Sequence, residues 1–329
     1  MTALASAEEL PLLDVKNLRV SFHTAEGRLR AVDGVSFSVR AGRVLCIVGE
    51  SGSGKSVTAQ AILRLVDAAG AQVAGQALYR GRDLLQLSET EMEGLRGDRI
   101  SLVFQNPMTG LNPAFPVGEQ VAEGLRLHQG LGRRAARARA IELLAQVGIP
   151  HPESRCDDYP HQFSGGMRQR ILIAGAIACE PDVLIADEPT TALDVSVQAQ
   201  ILKLLKSLQQ ELENALVLIT HDLGVVAAIA DDVMVMYAGR VVEQAPTEIL
   251  FDKPLHPYTL GLLSAYNDGG QGFEPIPGQP PVPIDLPPGC AFRDRCSRAT
   301  DACATEAPAL RAVATAHVVA CHLVVGAAQ

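Results

Sequence analysis

The junction RVLCIVGESGSGKSVTAQAIL, residues 43–63, constrains this chain more than any other stretch. A short, continuous apolar run suits a strand buried on both faces. It passes directly into a glycine-rich turn and then into the apolar-periodic VTAQAILRLV, which predicts a helix. Gly49, Glu50, Ser51, Gly52, Ser53, Gly54, Lys55 and Ser56 fit G-x-x-x-x-G-K-[ST]. Glycines let the backbone N–H groups turn inward around phosphate oxygens, and the helix that follows presents its positive end to the same anion. At this spacing Lys55 reaches β- and γ-phosphates and Ser56 ligates Mg²⁺.

The rest of the chain extends this unit. LDVKNLRVSF and VSFSV alternate as half-buried strands; RISLVFQ, DVLIADEP, ALVLITHD and DVMVMYAGRVVEQ read as further strands. SVQAQILKLLKSLQQEL places apolar residues at 201, 204, 205 and 208, one face of a helix. Strands alternating with helices predict a largely parallel α/β sheet. Residues 107–177 are mostly helical in pattern and form an inserted subdomain. The expected organisation is a main domain over 12–265, a proline-rich linker over 266–288 and a small extension over 289–329. FEPIPGQPPVPIDLPP can form neither helix nor central strand.

Composition narrows the function classes. The 28 Lys and Arg against 37 Asp and Glu leave a net charge of −9, which opposes binding to nucleic acid. Trp is absent, so the core must be aliphatic. No signal peptide or membrane span is read, which places the protein in the cytosol, with any membrane association supplied by a partner. Thiols or metal ligands, rather than disulfides, are expected of the seven cysteines there.

A second acidic site follows the strand VLIAD, with Asp187 at its end and Glu188 beside it. Strand ends of this kind bind ligands in α/β folds. Asp187 suits Mg²⁺, and Glu188 suits orienting and deprotonating an attacking water. FSGGMRQR then opens a helix, with Ser164 as N-cap and Gly165 and Gly166 leaving amides free at the positive end. That is a second anion site, more than a hundred residues from the first. Two subunits facing head to tail would use both.

In combination and order, the phosphate loop, Gln105 in VFQNP, FSGGM, VLIADEP, TALD around Asp194 and THD around His221 resemble the ATP-binding subunits of ABC transporters. The resemblance implies a P-loop NTPase fold with an antiparallel β subdomain and a helical subdomain. It implies that Phe22 stacks on adenine, that Gly49, Ser51, Gly52, Ser53, Gly54, Lys55, Ser56 and Val57 bind ATP, and that Ser56, Gln105 and Asp187 serve Mg²⁺. Glu188, His221 and Gln105 form the catalytic set. Ser164, Gly165 and Gly166 contact ATP on a partner ATPase subunit, and Asp194 shapes that contact. Phe163 and Met167 depart from the commonest signature, LSGGQ, and Met167 cannot hydrogen-bond as Gln does.

The longer stretches VFQNPMTGLNP, ADEPTTALDVSVQAQIL and HPYTLGLL are similar to the dipeptide and oligopeptide importer branch. This implies a non-identical second ATPase subunit, two permeases, an extracytoplasmic solute-binding protein and a place at the cytoplasmic membrane face. Related importers carry nickel or glutathione. A soluble ABC ATPase of DNA repair or translation would tend to have two cassettes or long coiled-coil insertions, neither of which is seen. A non-enzymatic regulatory module would not need Lys55, Asp187, Glu188 and His221 together.

Cys290, Cys296, Cys303 and Cys321 close the chain. Four thiolates suit an iron–sulfur cluster or zinc, and a small tail without a large core gains from such a staple. Free thiols are the plain alternative. The spacing is not that of a CxxC zinc ribbon, and the resemblance implies a [4Fe–4S] cluster. Cys46 and Cys179 sit in apolar text and read as core, and Cys156 reads as unliganded.

Overall fold

The structure, a computed structural model, describes residues 10–66, 70–191, 193–267, 276–284, 286 and 288–324. Parts of the expected linker, residues 268–275, 285 and 287, lie outside the described residues. The strands in chain order are β1 (Leu13–Thr24), β2 (Gly27–Val39), β3 (Val44–Val48), β4 (Gln72–Tyr79), β5 (Arg82–Asp83), β6 (Ile100–Val103), β7 (Val183–Asp187), β8 (Ala215–Thr220), β9 (Asp232–Tyr237), β10 (Arg240–Pro246), β11 (Arg311–Ala314) and β12 (His317–Val319).

They form two sheets. The larger runs β11-β12-β10-β9-β3-β8-β7-β6, and the smaller, antiparallel sheet runs β2-β1-β4-β5. From β9 to β6 the larger sheet is parallel, and its other edge is antiparallel. β3 is central and buried on both faces. Val44, Cys46 and Val48 join one core, which continues into the helical insert, while Leu45 and Ile47 join a second core beneath the small sheet. Side chains alternate across a strand, so five consecutive apolar residues supply both cores.

β1 carries an irregularity between Val15 and Leu18, where Asn17 takes φ 48°. The shift keeps Leu13, Val15, Leu18 and Val20 all buried despite the broken alternation. The helix predicted through VTAQAILRLV is shorter than its pattern and spans Lys55–Ile62. Arg64 turns left-handed at φ 54° and donates to Leu87 O at 2.6 Å, ending the helix. In the insert, helices Val117–Gln129, Arg133–Gln146 and Gly165–Ile177 pack together.

Part of the proline-rich segment lies on the body. Arg30 N–H donates to Pro283 O at 2.8 Å, and Leu29 bridges Ile284, so residues 283–284 run along β2. Beyond it β12 pairs with β10, at Glu243–Val319 and Gln244–Val318, and continues the main sheet. An unpaired sheet edge presents a row of free backbone donors and acceptors, and the tail covers it. Glu243, fully buried, fixes this junction: its carboxylate meets His317 Nε2 at 2.8 Å and accepts from Leu255 N and His256 N.

Candidate active site

The phosphate loop is shaped by two contacts that exclude a side chain. Gly49 (φ 154°) lies against Met236 O and Gly54 (φ 99°) against Ala31 O, so a Cβ at either would strike a backbone carbonyl. The loop walls a cavity of about 370 Å³. Ser51 to Val57 form one side, Phe22, Leu29 and Ala31 a second, and Gln105, Glu188 and Pro283 complete it. Phe22 also packs on the core of the small sheet, so it serves wall and core together. Ser53 Oγ is buried with no hydrogen-bond partner, the mark of a loop built for a polar ligand.

Residues from separate strand ends converge here. Lys55 Nζ donates to Gly49 O at 2.7 Å and to Glu50 O at 3.0 Å. Ser56 Oγ donates to Asp187 Oδ1 at 2.9 Å. Gln105 Nε2 and Thr191 Oγ1 both donate to Glu188 Oε2, at 2.9 and 2.8 Å. His221 Nδ1 stands 3.5 Å from Glu188 Oε1. Glu188 itself has φ 44°, with its N–H bonded to Ile219 O. A non-glycine residue held left-handed costs of order 1 kcal/mol or more, and here its neighbours hold it so.

The electrostatics are those of a charge-dense site. Burial pushes the Lys55 ammonium down, against the pull of Glu188, Asp187 and Glu50. Burial pushes the Asp187 carboxyl up and Glu188 adds to this, opposed by the Ser56 hydroxyl and Lys55. A hydroxyl and a carboxylate oxygen 2.9 Å apart fit the donor set of a hard cation such as Mg²⁺.

Ser164, Gly165 and Gly166 do not line this cavity. Ser164 is the N-cap of the Gly165–Ile177 helix, exposed, and accepts from Met167 N at 3.4 Å. The residue that departs from the common signature therefore supplies the capped amide, while its side chain packs against the core. Phe163 is buried beneath the Arg155 guanidinium, 4.2 Å from its ring centre. Asp194 is an exposed N-cap of the Val195–Leu212 helix with no side-chain cap bond.

The expected metal centre in the tail finds no support in the arrangement of the described residues. Burial raises the Cys290 thiol, and the nearby Cys303, Cys321 and Cys296 add to it, so the four share one lobe. Yet among the described residues no three His, Cys, Asp or Glu side chains stand close enough together to hold a metal ion. The lobe is pinned instead by strand pairing, by the Glu243–His317 pair and by Phe292, which packs on Tyr237 and Tyr258 at 5.2 and 5.4 Å.

Three residues at the site carried no sequence signal of a role there. Thr191 holds Glu188, Tyr258 Oη accepts from Glu50 N at 2.8 Å, and Arg295 pairs with the Glu50 carboxylate. Tyr258 lies in the HPYTLGLL stretch, whose pattern had marked a branch and not a contact.

Comparison with known proteins agrees with this geometry. The ABC transporter family model matches residues 32–191, and that of the oligopeptide/dipeptide transporter C-terminal region matches 242–303. The dipeptide transport ATP-binding protein DppD of Escherichia coli is 50% identical over 316 residues, covering 95% of this chain and 97% of that protein. The oligopeptide transport ATP-binding protein OppD of Haemophilus influenzae is 51% identical over 296 residues, covering 89% and 91%. Among solved structures, the dimeric bacterial ABC transporter cassette MJ0796 superposes with a TM-score of 0.64 at 29% identity, covering 71% of this chain and 98% of that one. A second MJ0796 structure, a dimer in a post-hydrolysis state bound to ADP and Pi, gives the same score.

Proposed function

This chain belongs to the ATP-binding subunits of ABC transporters, and from that premise we propose that it hydrolyses ATP to energise import of dipeptides and oligopeptides. The observation that carries the reading is a division within one subunit. Lys55, Ser56, Glu188 and Gln105 line one cavity, with Asp187 hydrogen-bonded to Ser56, while the exposed Ser164 cap lies outside it. One chain thus offers half of a nucleotide clamp at each of two interfaces. The dimeric cassettes among its structural relatives support the same reading.

In this proposal the loop amides and Lys55 bind the phosphates, and Phe22 and Val57 wall the adenine side. Ser56 and Asp187 hold Mg²⁺, which when bound neutralises charge on the phosphate oxygens. Glu188, oriented by Gln105 and Thr191, accepts a proton from the attacking water, and His221 steadies the γ-phosphate. Catalysis is then mostly placement and electrostatics. Exposed Phe104, Met108 and Phe115, in the stretch of chain around and after Gln105, support docking of permeases there. No helix among the described residues is long and apolar enough to cross a membrane, which suits attachment through those partners.

The test is ATP turnover by the full chain with a non-identical ATPase partner and candidate permeases in vesicles. Turnover that rises on adding peptide and its binding protein supports the reading; turnover indifferent to permeases and peptide overturns the transport role. A metal on Cys290, Cys296, Cys303 and Cys321 is a finer matter, supported by their shared lobe and by a tail match that takes in the first three. Metal analysis decides it. Iron or zinc bound in stoichiometric amount restores a centre that forms on loading, and a metal-free protein with all four thiols titratable removes it.

A further inference from the structure

Glu50, the first variable position of the phosphate loop, is held at every polar atom. Its N–H donates to Tyr258 Oη at 2.8 Å, and its carbonyl accepts from Lys55 Nζ at 3.0 Å and Ser53 N at 3.2 Å. Its carboxylate receives a two-pronged guanidinium from Arg295, Nη1 to Oε2 at 2.7 Å and Nη2 to Oε1 at 3.0 Å. Arg295 comes from the tail, 245 residues away, with a side chain only 6% exposed. Its Nε donates to Pro277 O at 2.8 Å, and the rings of Tyr237 and Phe292 lie 5.8 and 5.9 Å from its carbon. The guanidinium is therefore fixed before any ligand arrives.

We propose that Arg295 is a positioning residue for triphosphate binding, reaching from the tail to set the phosphate loop and to cancel the charge of Glu50. This rests on the reading that the loop binds ATP. The Glu50 carboxylate precedes Ser51 of the cradle and its charge acts on Lys55, so, left uncancelled, it repels a phosphate ligand held by that lysine. The planar fork satisfies both carboxylate oxygens at once, which a lysine does not do. The tail is thereby tied to the first variable residue of the phosphate loop.

The experiment measures equilibrium binding of ATP, ADP and AMP to the full chain as wild type, Arg295→Met, and Arg295→Met with Glu50→Gln. Loss of Arg295 is expected to weaken ATP about tenfold, ADP less and AMP least, because the uncancelled charge acts in proportion to the phosphate charge. Adding Glu50→Gln is expected to restore most of the ATP affinity. Unchanged ATP binding in Arg295→Met overturns the proposal, as does an equal loss for all three nucleotides with no recovery in the double variant. If Arg295→Met does not fold, Arg295→Lys carries the same series with a smaller gap and the same criteria. A folded wild type that binds no ATP would instead overturn the reading of the loop, so the two failures are distinguishable.

Discussion

Gln105 donates its Nε2 amide to Glu188 Oε2 at 2.9 Å, across 83 residues of chain. Thr191 donates to the same oxygen from three residues away. Two donors on Oε2 leave Oε1 as the oxygen directed at His221, 3.5 Å distant. The carboxylate is thus fixed in rotation before substrate binds, with one lone-pair side engaged and the other available to a water.

Glu188→Gln keeps the size and the hydrogen-bonding partners but removes the base. It should bind ATP as the wild type does and turn over slower by about 10² or more. Single-turnover hydrolysis with radiolabelled ATP measures both. Undiminished turnover would take Glu188 out of the mechanism.

Ser164→Arg places bulk and positive charge at a helix end that is exposed in the single subunit. Loss of the cap costs the helix about 1 kcal/mol. Nucleotide binding by one subunit should persist, while ATP-driven pairing in a Glu188→Gln background should disappear. Size-exclusion chromatography with and without ATP reads this. A dimer that still forms would place the second anion site somewhere other than Ser164.

His256 sets an acid limit on stability. It is buried, its Nδ1 accepts from Tyr258 N at 3.0 Å, and burial lowers its pKa from 6.5 to about 4. The unfolded chain binds the proton at higher pH than the folded one. The contribution is therefore complete above about pH 6.5 and is lost as pH falls through about 4, roughly 3 kcal/mol in all. Urea midpoints at pH 7 and pH 5 should show the decline. His256→Asn, which retains an acceptor without titrating, should flatten it.

His317→Ala leaves Glu243 fully buried with one partner gone. Removing one hydrogen-bond partner of a buried polar group typically destabilises by about 1–3 kcal/mol. Here the loss should fall first on the tail, since the pair ties β12 to the body. Limited proteolysis should cut within residues 289–324 faster than in the wild type. An unchanged cleavage pattern would mean that strand pairing alone retains the tail.

What was legible in the sequence was whatever local chemistry encodes. The glycines of the phosphate loop, the apolar run of β3, the Ser164 cap and the carboxylates at the end of β7 each report on a few adjacent residues. Those residue types state a local need, which distant contacts such as Met236 O against Gly49 then fix in detail. The periodicity of VTAQAILRLV misled by one turn, because Arg64 leaves the helix to reach Leu87 O, a partner that no window around it contains.

The chain's own letters determined an ATP-gripping α/β unit and a second, Ser164-capped helix end, since both are written in consecutive residues with local backbone needs. Only the tertiary structure decided that the cysteine-bearing tail lies on the main sheet and reaches Glu50 through Arg295. An arginine followed by a cysteine reads alike whether it faces water or a carboxylate 245 residues away. The choice is made by which sheet edge is open and which buried charge lacks a partner, and those are properties of the assembled fold.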